Sequence, residues 1–485
     1  GGNYNVVVGD EAGTAITTGD NNVAVGYAAL LVNTTGGDNV AVGINALDAN
    51  TEGVSNNGLG AFSLTANTTG NNNVAVGRAA LAANTTASNN TAVGNNALVA
   101  NTTGTANVAV GALAGDALTV GSSNVAIGYN SLSTEDGHGA NVAVGTNALA
   151  VQNAGANGYN TAVGHNAGLS VTTAVETTLV GALAGDAITT GGYNTGFGSA
   201  ALGATTTATF NTAVGRNALG ANTTGASNVA VGGQALDANT TADNNTAVGT
   251  SSLGASTTGT SNTAVGQASL GSNTTASNNT AVGKGALTAN TTGTANTAVG
   301  TSALIANTTA NSNTAIGKDA LLANTTGTRN VGVGASALKT ITTASFNTGV
   351  GNDVLGANTS GASNTGIGDQ ALGANTTGAD NTAIGSGALD ANTTADGNTA
   401  VGSSCLGANT TGADNVAMGE AALLSNTTAA NNTGIGTSAL RANTTGTNNA
   451  SLGFSSLLSN TTGSNNIALG AYALDANTTA DNNIA

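Results

Sequence analysis

Proline and tryptophan are absent from this chain, and charge, aromatic rings and cysteine are all scarce. Only 6% of its 485 residues are charged, against about 25% in an ordinary globular domain. The single cysteine, Cys405, excludes an internal disulfide; its column elsewhere holds mostly alanine, so a small buried hydrophobe is expected there. Seven basic against 23 acidic residues leave a net charge of −16 and no basic stripe to neutralise phosphates, so no nucleic-acid partner is expected. No run approaches the roughly 20 apolar residues of a membrane helix, and no membrane span is expected. Two histidines and one cysteine offer few acids, bases or nucleophiles, and the motifs G-x-S-x-G, P-loop and H-E-x-x-H are missing. The chain is therefore read as no enzyme, with no catalytic, cofactor-binding or metal-ligating residue assigned and no cofactor expected.

What is present is a period. Glycine recurs every seventeen residues from Gly9 to Gly470, with one slip of two residues between Gly145 and Gly164. The unit reads N-[TV]-A-V-G-x-x-A-L-x-A-N-T-T-[GA]-x-x, and Asn stands four residues before each anchor glycine except where Thr177 replaces it. A period of this kind marks a solenoid, one unit per coil. Disordered chains combine low hydrophobicity with high net charge, whereas here 40% of residues are apolar and held in phase. The expected fold is all-β: a parallel β-solenoid of about 28 coils, continuous over residues 1–485. Coils rising about 4.8 Å each would make a rod of roughly 135 Å. Both termini fall inside a unit, so the reading is a solenoid incomplete at both ends, with any signal peptide, anchor or tip outside it.

Counting from the Asn, the anchor glycine is position 5. Position 4 is bulky and position 3 is Ala or Gly, a period-two alternation that indicates a strand. Position 4 is assigned to the interior with Leu at position 9. Positions 3 and 5, for instance Ala213 and Gly215, are then expected to form a flat outer face on which another chain could pack. The basic residues Arg78, Arg216, Lys284, Lys318, Lys339, Arg441 and Arg329 mark columns 6, 10 and 17 as facing water. In four units position 9 becomes Gly (Gly13, Gly115, Gly168, Gly185) while position 12 changes from Asn to Ile16, Leu118, Val171 or Ile188. That exchange keeps interior volume constant and points position 12 inward. Its Asn side chains should then form an axial ladder, with a second at position 1. The N-T-T triplet is accordingly read as structure rather than as a run of glycosylation acceptors. Position 15 alternates Ala and Gly from Ala208 to Gly361, which suggests that the left-handed corner residue alternates between positions 15 and 17.

Residues 129–177 are the irregular region. They hold the corner Glu135-Asp136-Gly137-His138-Gly139, the insertion around Gln152–Tyr159, His165 and Thr177. Loops on a rigid scaffold are common binding sites, and His138 with Glu135 or Asp136 could hold a metal. Decay of an ancestral repeat is the plainer reading. Asp380, Asp396 and Asp414, on neighbouring coils, are read as a solvated face.

The stretches Asn124–Leu132 (N-V-A-I-G-Y-N-S-L) and Asn141–Leu149 (N-V-A-V-G-T-N-A-L) resemble the S-V-A-I-G-x-x-A repeats of YadA-like heads in trimeric autotransporter adhesins. The N-T-A-[VI]-G-x-x-A-L units are similar to repeats of long phage tail-fibre proteins. The resemblance runs along essentially the whole chain. It implies a left-handed β-roll, a homotrimer, and display outside the cell, on a cell surface or on a virion. The function expected is a structural rod of an extracellular or virion fibre that displays a binding element at a distance. Contact with a host-surface glycan or receptor would then fall to regions outside this segment. The alternative is that the solenoid surface itself binds ice or glycans.

Overall fold

The computed structural model describes residues 2–485 and contains two compact units, Gly1–Asn244 and Asn245–Ala485. Each is a parallel β-solenoid with a 17-residue rung spacing and no helix among the described residues. The first unit carries fourteen three-residue strands, from β1 (Val6–Val8) to β14 (Val229–Val231). The second carries another fourteen, from β15 (Thr246–Val248) to β28 (Ile467–Leu469). Within each unit every strand pairs in register with the strand one coil away, as in Val23↔Val40, Ala24↔Ala41 and Val25↔Val42.

Positions 2–4 form the strand, and the rest of the coil is held by rungs of backbone hydrogen bonds between equivalent positions. Leu30 N–H donates to Ala46 C=O at 3.0 Å, and Gly26 N–H to Val8 C=O at 2.8 Å. Four positions per coil have positive φ: the anchor glycine, position 7, position 9 and position 17. A non-glycine residue in the left-handed region costs about 1–2 kcal/mol. At position 9 that cost is offset by burial, because Leu47, Leu81 and Leu304 are fully enclosed and a buried Leu contributes about 1.5–3 kcal/mol.

Two sequence expectations hold in detail. Position 12 points inward: Asn50, Asn67, Asn84 and Asn290 are fully buried, which also removes them as glycosylation acceptors. Their amides form the ladder, Asn67 Nδ2 donating to Asn50 Oδ1 at 2.8 Å and to its own coil's Gly70 C=O at 3.1 Å. The position-1 Asn makes a different ladder, in which Asn39 backbone N–H donates to Asn22 Oδ1 (3.0 Å) while Asn39 Nδ2 reaches Gly53 C=O (2.8 Å). The volume exchange is also visible. A methyl placed on Gly115 would lie 2.9 Å from Leu118 Cδ1, and one on Gly185 would lie 2.7 Å from Ile188 Cδ1. The aliphatic group at position 12 thus occupies the space that Leu vacates at position 9.

The face assignment is corrected. Position 3, not position 4, enters the core: Ala24, Ala41 and Ala213 are fully buried, whereas Val42, Ile316 and Ile367 are exposed. The reason is room. A methyl on Gly332, at position 3, would already sit 3.3 Å from Leu321 Cγ and 3.5 Å from Leu338 Cδ1, so the Leu column leaves space for little more than alanine. Positions 2 and 4 therefore share the outer face.

The corner is corrected too. Position 17 has positive φ in every coil, in Ala coils (Asn278, φ 62°) and Gly coils (Ala295, φ 57°) alike. What the alternation records is axial crowding. A methyl on Gly225 would stand 2.3 Å from the Ala242 carbonyl oxygen of the next coil, and one on Gly293 would stand 2.2 Å from that of Ala310. One alanine needs a rung to yield by more than half an ångström, since Cβ atoms essentially never stand within 3.0 Å of such an atom, and two in succession would press on both sides; no two adjacent coils have Ala at position 15.

Of the seven basic residues, six are exposed as expected. Lys339 is half-buried, its ammonium 2.6 Å from Asp353 Oδ1.

Candidate functional site

One surface of repeating chemistry is the outer face of the strands. Val or Thr at position 2 (Asn57, Ala450 and Ile467 in three coils) and Val, Ile, Leu, Phe or Met at position 4 project from the same side of every coil, and no charged residue interrupts either column. In the first unit Val42, Leu59, Ile127 and Phe197 are exposed along it. In the second, Ile316, Val350, Ile367, Ile384, Met418 and Leu452 continue the pattern, the last 47% exposed. Near the end of the second unit the face holds a shallow depression of about 250 Å³, lined by Thr433, Ile435, Leu452, Ile467 and Leu469 among others. Sequence reasoning assigned this face to the core because it ranked columns by bulk. The usable signal lay elsewhere: in two of the four units where position 9 loses its Leu, position 3 is enlarged, to Val7 and Leu179, so positions 3 and 9 share one interior.

Ala213 and Gly215 form no outer face. Ala213 is buried inside the coil, and a methyl on Gly215 would meet the Gly232 carbonyl at 2.6 Å. Among the threonines, position 13 is committed to the rungs, Thr34 Oγ1 donating to Thr51 C=O at 3.0 Å. Position 14 is the exposed threonine column, with Thr35 and Thr69 facing solvent.

The irregular region resolves into separate features. The extra residues form an exposed corner, 153–157, in which Asn157 Oδ1 accepts the Gly139 N–H at 3.0 Å. Thr177 is buried and receives a rung from its neighbour, its N–H donating to Asn160 Oδ1 at 2.8 Å. His165 stands exposed at position 6. Glu135, Asp136 and His138 do come together: ligand atoms from all three lie within 4.8 Å of one another, the only such group of three or more His, Cys, Asp or Glu among the described residues. Asp380, Asp396 and Asp414 are exposed and do not converge; Asp396 Oδ1 instead accepts the Ala379 N–H at 2.7 Å.

Cys405 is fully buried in its small-residue column, and burial pushes its thiol up to about 11, well away from a reactive thiolate. Comparison with protein-family models and with curated proteins gives no match. No helix among the described residues is long and apolar enough to cross a membrane.

Position 10 carries the only carboxylates with a common shift. Partial burial raises the pKa of Asp116, Asp186, Asp237 and Asp390, more than offsetting the backbone N–H groups of the same and following residues. A folded-state pKa above the unfolded one gives stability that is full below the unfolded pKa and lost as pH rises through the folded pKa. The melting temperature is therefore expected to rise, not fall, as pH drops from 7 towards 4.5. Replacing all four with Asn should flatten that slope. A melting temperature that falls equally on acidification in both proteins would contradict this reading.

Proposed function

We propose that the chain is the structural shaft of an extracellular or virion fibre, and that it self-associates through the apolar face formed by positions 2 and 4. The observation that carries this reading is the uncharged outer face on each unit, along which position 4 is apolar in every coil. Monomeric soluble proteins rarely expose contiguous apolar patches beyond a few hundred Å². A stripe repeated every coil, free of charge, is what lateral packing of one solenoid on another requires. The homotrimer and the left-handed roll come from the resemblance to adhesin heads. The role is mechanical: a regular body holds a binding element away from its base, and no catalytic step is assigned to it.

The test is the mass of the particle. Sedimentation velocity and native mass spectrometry should give three chains per particle at micromolar concentration, and electron microscopy should show elongated particles. Changing Ile367 and Ile384 together to Asp should dissociate the assembly while far-ultraviolet circular dichroism stays unchanged, because both side chains lie outside the coil. A monomeric wild type, or an unaltered mass in the double variant, would sink the proposal. A glycan array probed with this segment alone should be silent if the shaft is passive.

A further inference from the structure

Position 12, the buried Asn ladder, is interrupted in six successive coils of the first unit, by Leu118, Glu135, Gln152, Val171, Ile188 and Thr205, all fully buried. Glu135 thus places a carboxyl group inside a coil, next in its column to an aliphatic side chain. Its Oε1 accepts the His138 backbone N–H at 3.1 Å and faces His138 Nδ1 at 3.3 Å. Its Oε2 is buried with no hydrogen-bond partner. A buried carboxylate with an oxygen left unmatched is strongly disfavoured unless a cation meets it. A histidine–glutamate pair accounts for Oε1 but leaves Oε2 as it is.

We propose that Glu135, Asp136 and His138 bind one divalent transition-metal ion of the zinc type. Glu135 ligates from the interior, His138 through Nδ1, and Asp136 from the exposed side, leaving a coordination position open to solvent. Two donors each about 2.0 Å from a tetrahedral ion stand roughly 3.3 Å apart, which is the Nδ1–Oε1 separation here, and a carboxylate that ligates through both oxygens brings the unmatched Oε2 onto the same ion. An imidazole donor selects Zn²⁺, Co²⁺ or Ni²⁺ over Ca²⁺ and Mg²⁺, which prefer all-oxygen sites. The loop is anchored on both flanks. Thr119 N–H donates to Asp136 C=O at 2.6 Å, and Asn124 Nδ2 to His138 C=O at 3.1 Å. Asn157, from the inserted corner, caps Gly139. The inference stands apart from the fibre reading, since it needs no second chain.

The experiment uses the full 485-residue chain, stripped with a chelator and dialysed. Co²⁺ and Zn²⁺ are titrated separately, followed by cobalt d–d absorption and by equilibrium dialysis with elemental analysis. One equivalent per chain is expected. Glu135→Asn, which restores the residue most coils have in this column, and His138→Ala should each weaken binding at least about tenfold. His165→Ala should leave it unchanged. Zn²⁺ should raise the melting temperature of the wild type but not of Glu135→Asn, whose own β-structure, read by circular dichroism, should be intact. Absence of saturable binding, affinity indifferent to Glu135→Asn and His138→Ala, or binding of Ca²⁺ in preference to Zn²⁺ would each overturn the assignment.

Discussion

Asn290→Asp is expected to destabilise the second unit at neutral pH and to recover in part on acidification. Asn290 Nδ2 donates to Asn273 Oδ1 at 3.0 Å and to Gly293 C=O at 2.9 Å, while its Oδ1 accepts from Asn307 Nδ2 at 2.9 Å. Aspartate keeps the acceptor and loses both donors, so two oxygens that received hydrogen bonds would face a carboxylate in a fully buried column. An unpaired buried charge costs about 3–5 kcal/mol. Burial raises the carboxyl's pKa in the folded state, so the penalty is full above that pKa and relieved below it. The protonated acid can supply one donor for the two lost, which leaves a residual cost of about 1–2 kcal/mol. In a solenoid the damage is local, because each coil touches only its neighbours. Hydrogen exchange should therefore accelerate first in the rungs of residues 273–310, with the melting transition following. Unchanged exchange and melting at pH 7 would mean that the ladder contributes nothing.

This ladder was legible from the sequence because volume left a trace. The exchange of Leu at position 9 for Ile16, Leu118, Val171 or Ile188 at position 12 can occur only if both columns reach one interior, and the fold has them there. The strand's orientation left a weaker trace. Ala at position 3 is compatible with a tight chain–chain contact or with a cramped core, and only the Leu column pressing on it decides for the core. The compensation of Val354 at position 8 by Gly349 and Gly366 at position 3 is the same argument repeated, with methyls there coming within 3.0 and 2.7 Å of Val354. Position 15 misled for a different reason. Glycine suggests a left-handed residue, yet the constraint is the neighbouring coil's carbonyl, and a contact between coils has no signature inside one unit. It appears only as a rule about adjacent units. The Glu135–His138 cluster was visible as a list of residue types, but the burial of Glu135 and its unmatched Oε2 were not, since a corner with Gly on both sides of His138 reads equally well as a decayed repeat.

The anchor glycine should be the least replaceable residue of the coil, and Gly300→Ala measures this. Gly300 has φ 136°, outside the range that L side chains adopt readily, and a methyl there would lie 2.5 Å from the Gly317 carbonyl oxygen of the next coil. Strain of about 1–3 kcal/mol from the backbone and a similar amount from overpacking sum to roughly 2–6 kcal/mol. The same substitution at position 15 separates the two contributions. Gly293, in the neighbouring coil, lacks positive φ but is flanked by Ala276 and Ala310 in its column, so Gly293→Ala should lose only the packing part, about 1–3 kcal/mol. Gly53 lies between Gly36 and Gly70, where one alanine repeats an arrangement the chain already uses, and Gly53→Ala should cost least. Urea unfolding followed by circular dichroism, with hydrogen exchange across the altered rungs, should rank the loss as Gly300→Ala, then Gly293→Ala, then Gly53→Ala. Equal effects for Gly300→Ala and Gly53→Ala would show that the seventeen-residue glycine period is not set by backbone conformation. Equal effects for Gly293→Ala and Gly53→Ala would remove axial crowding as the cause of the alternation, because a methyl meets the next coil's carbonyl at both sites (2.5 Å at Gly53, 2.2 Å at Gly293) and only the alanines on either side of Gly293 set the two apart.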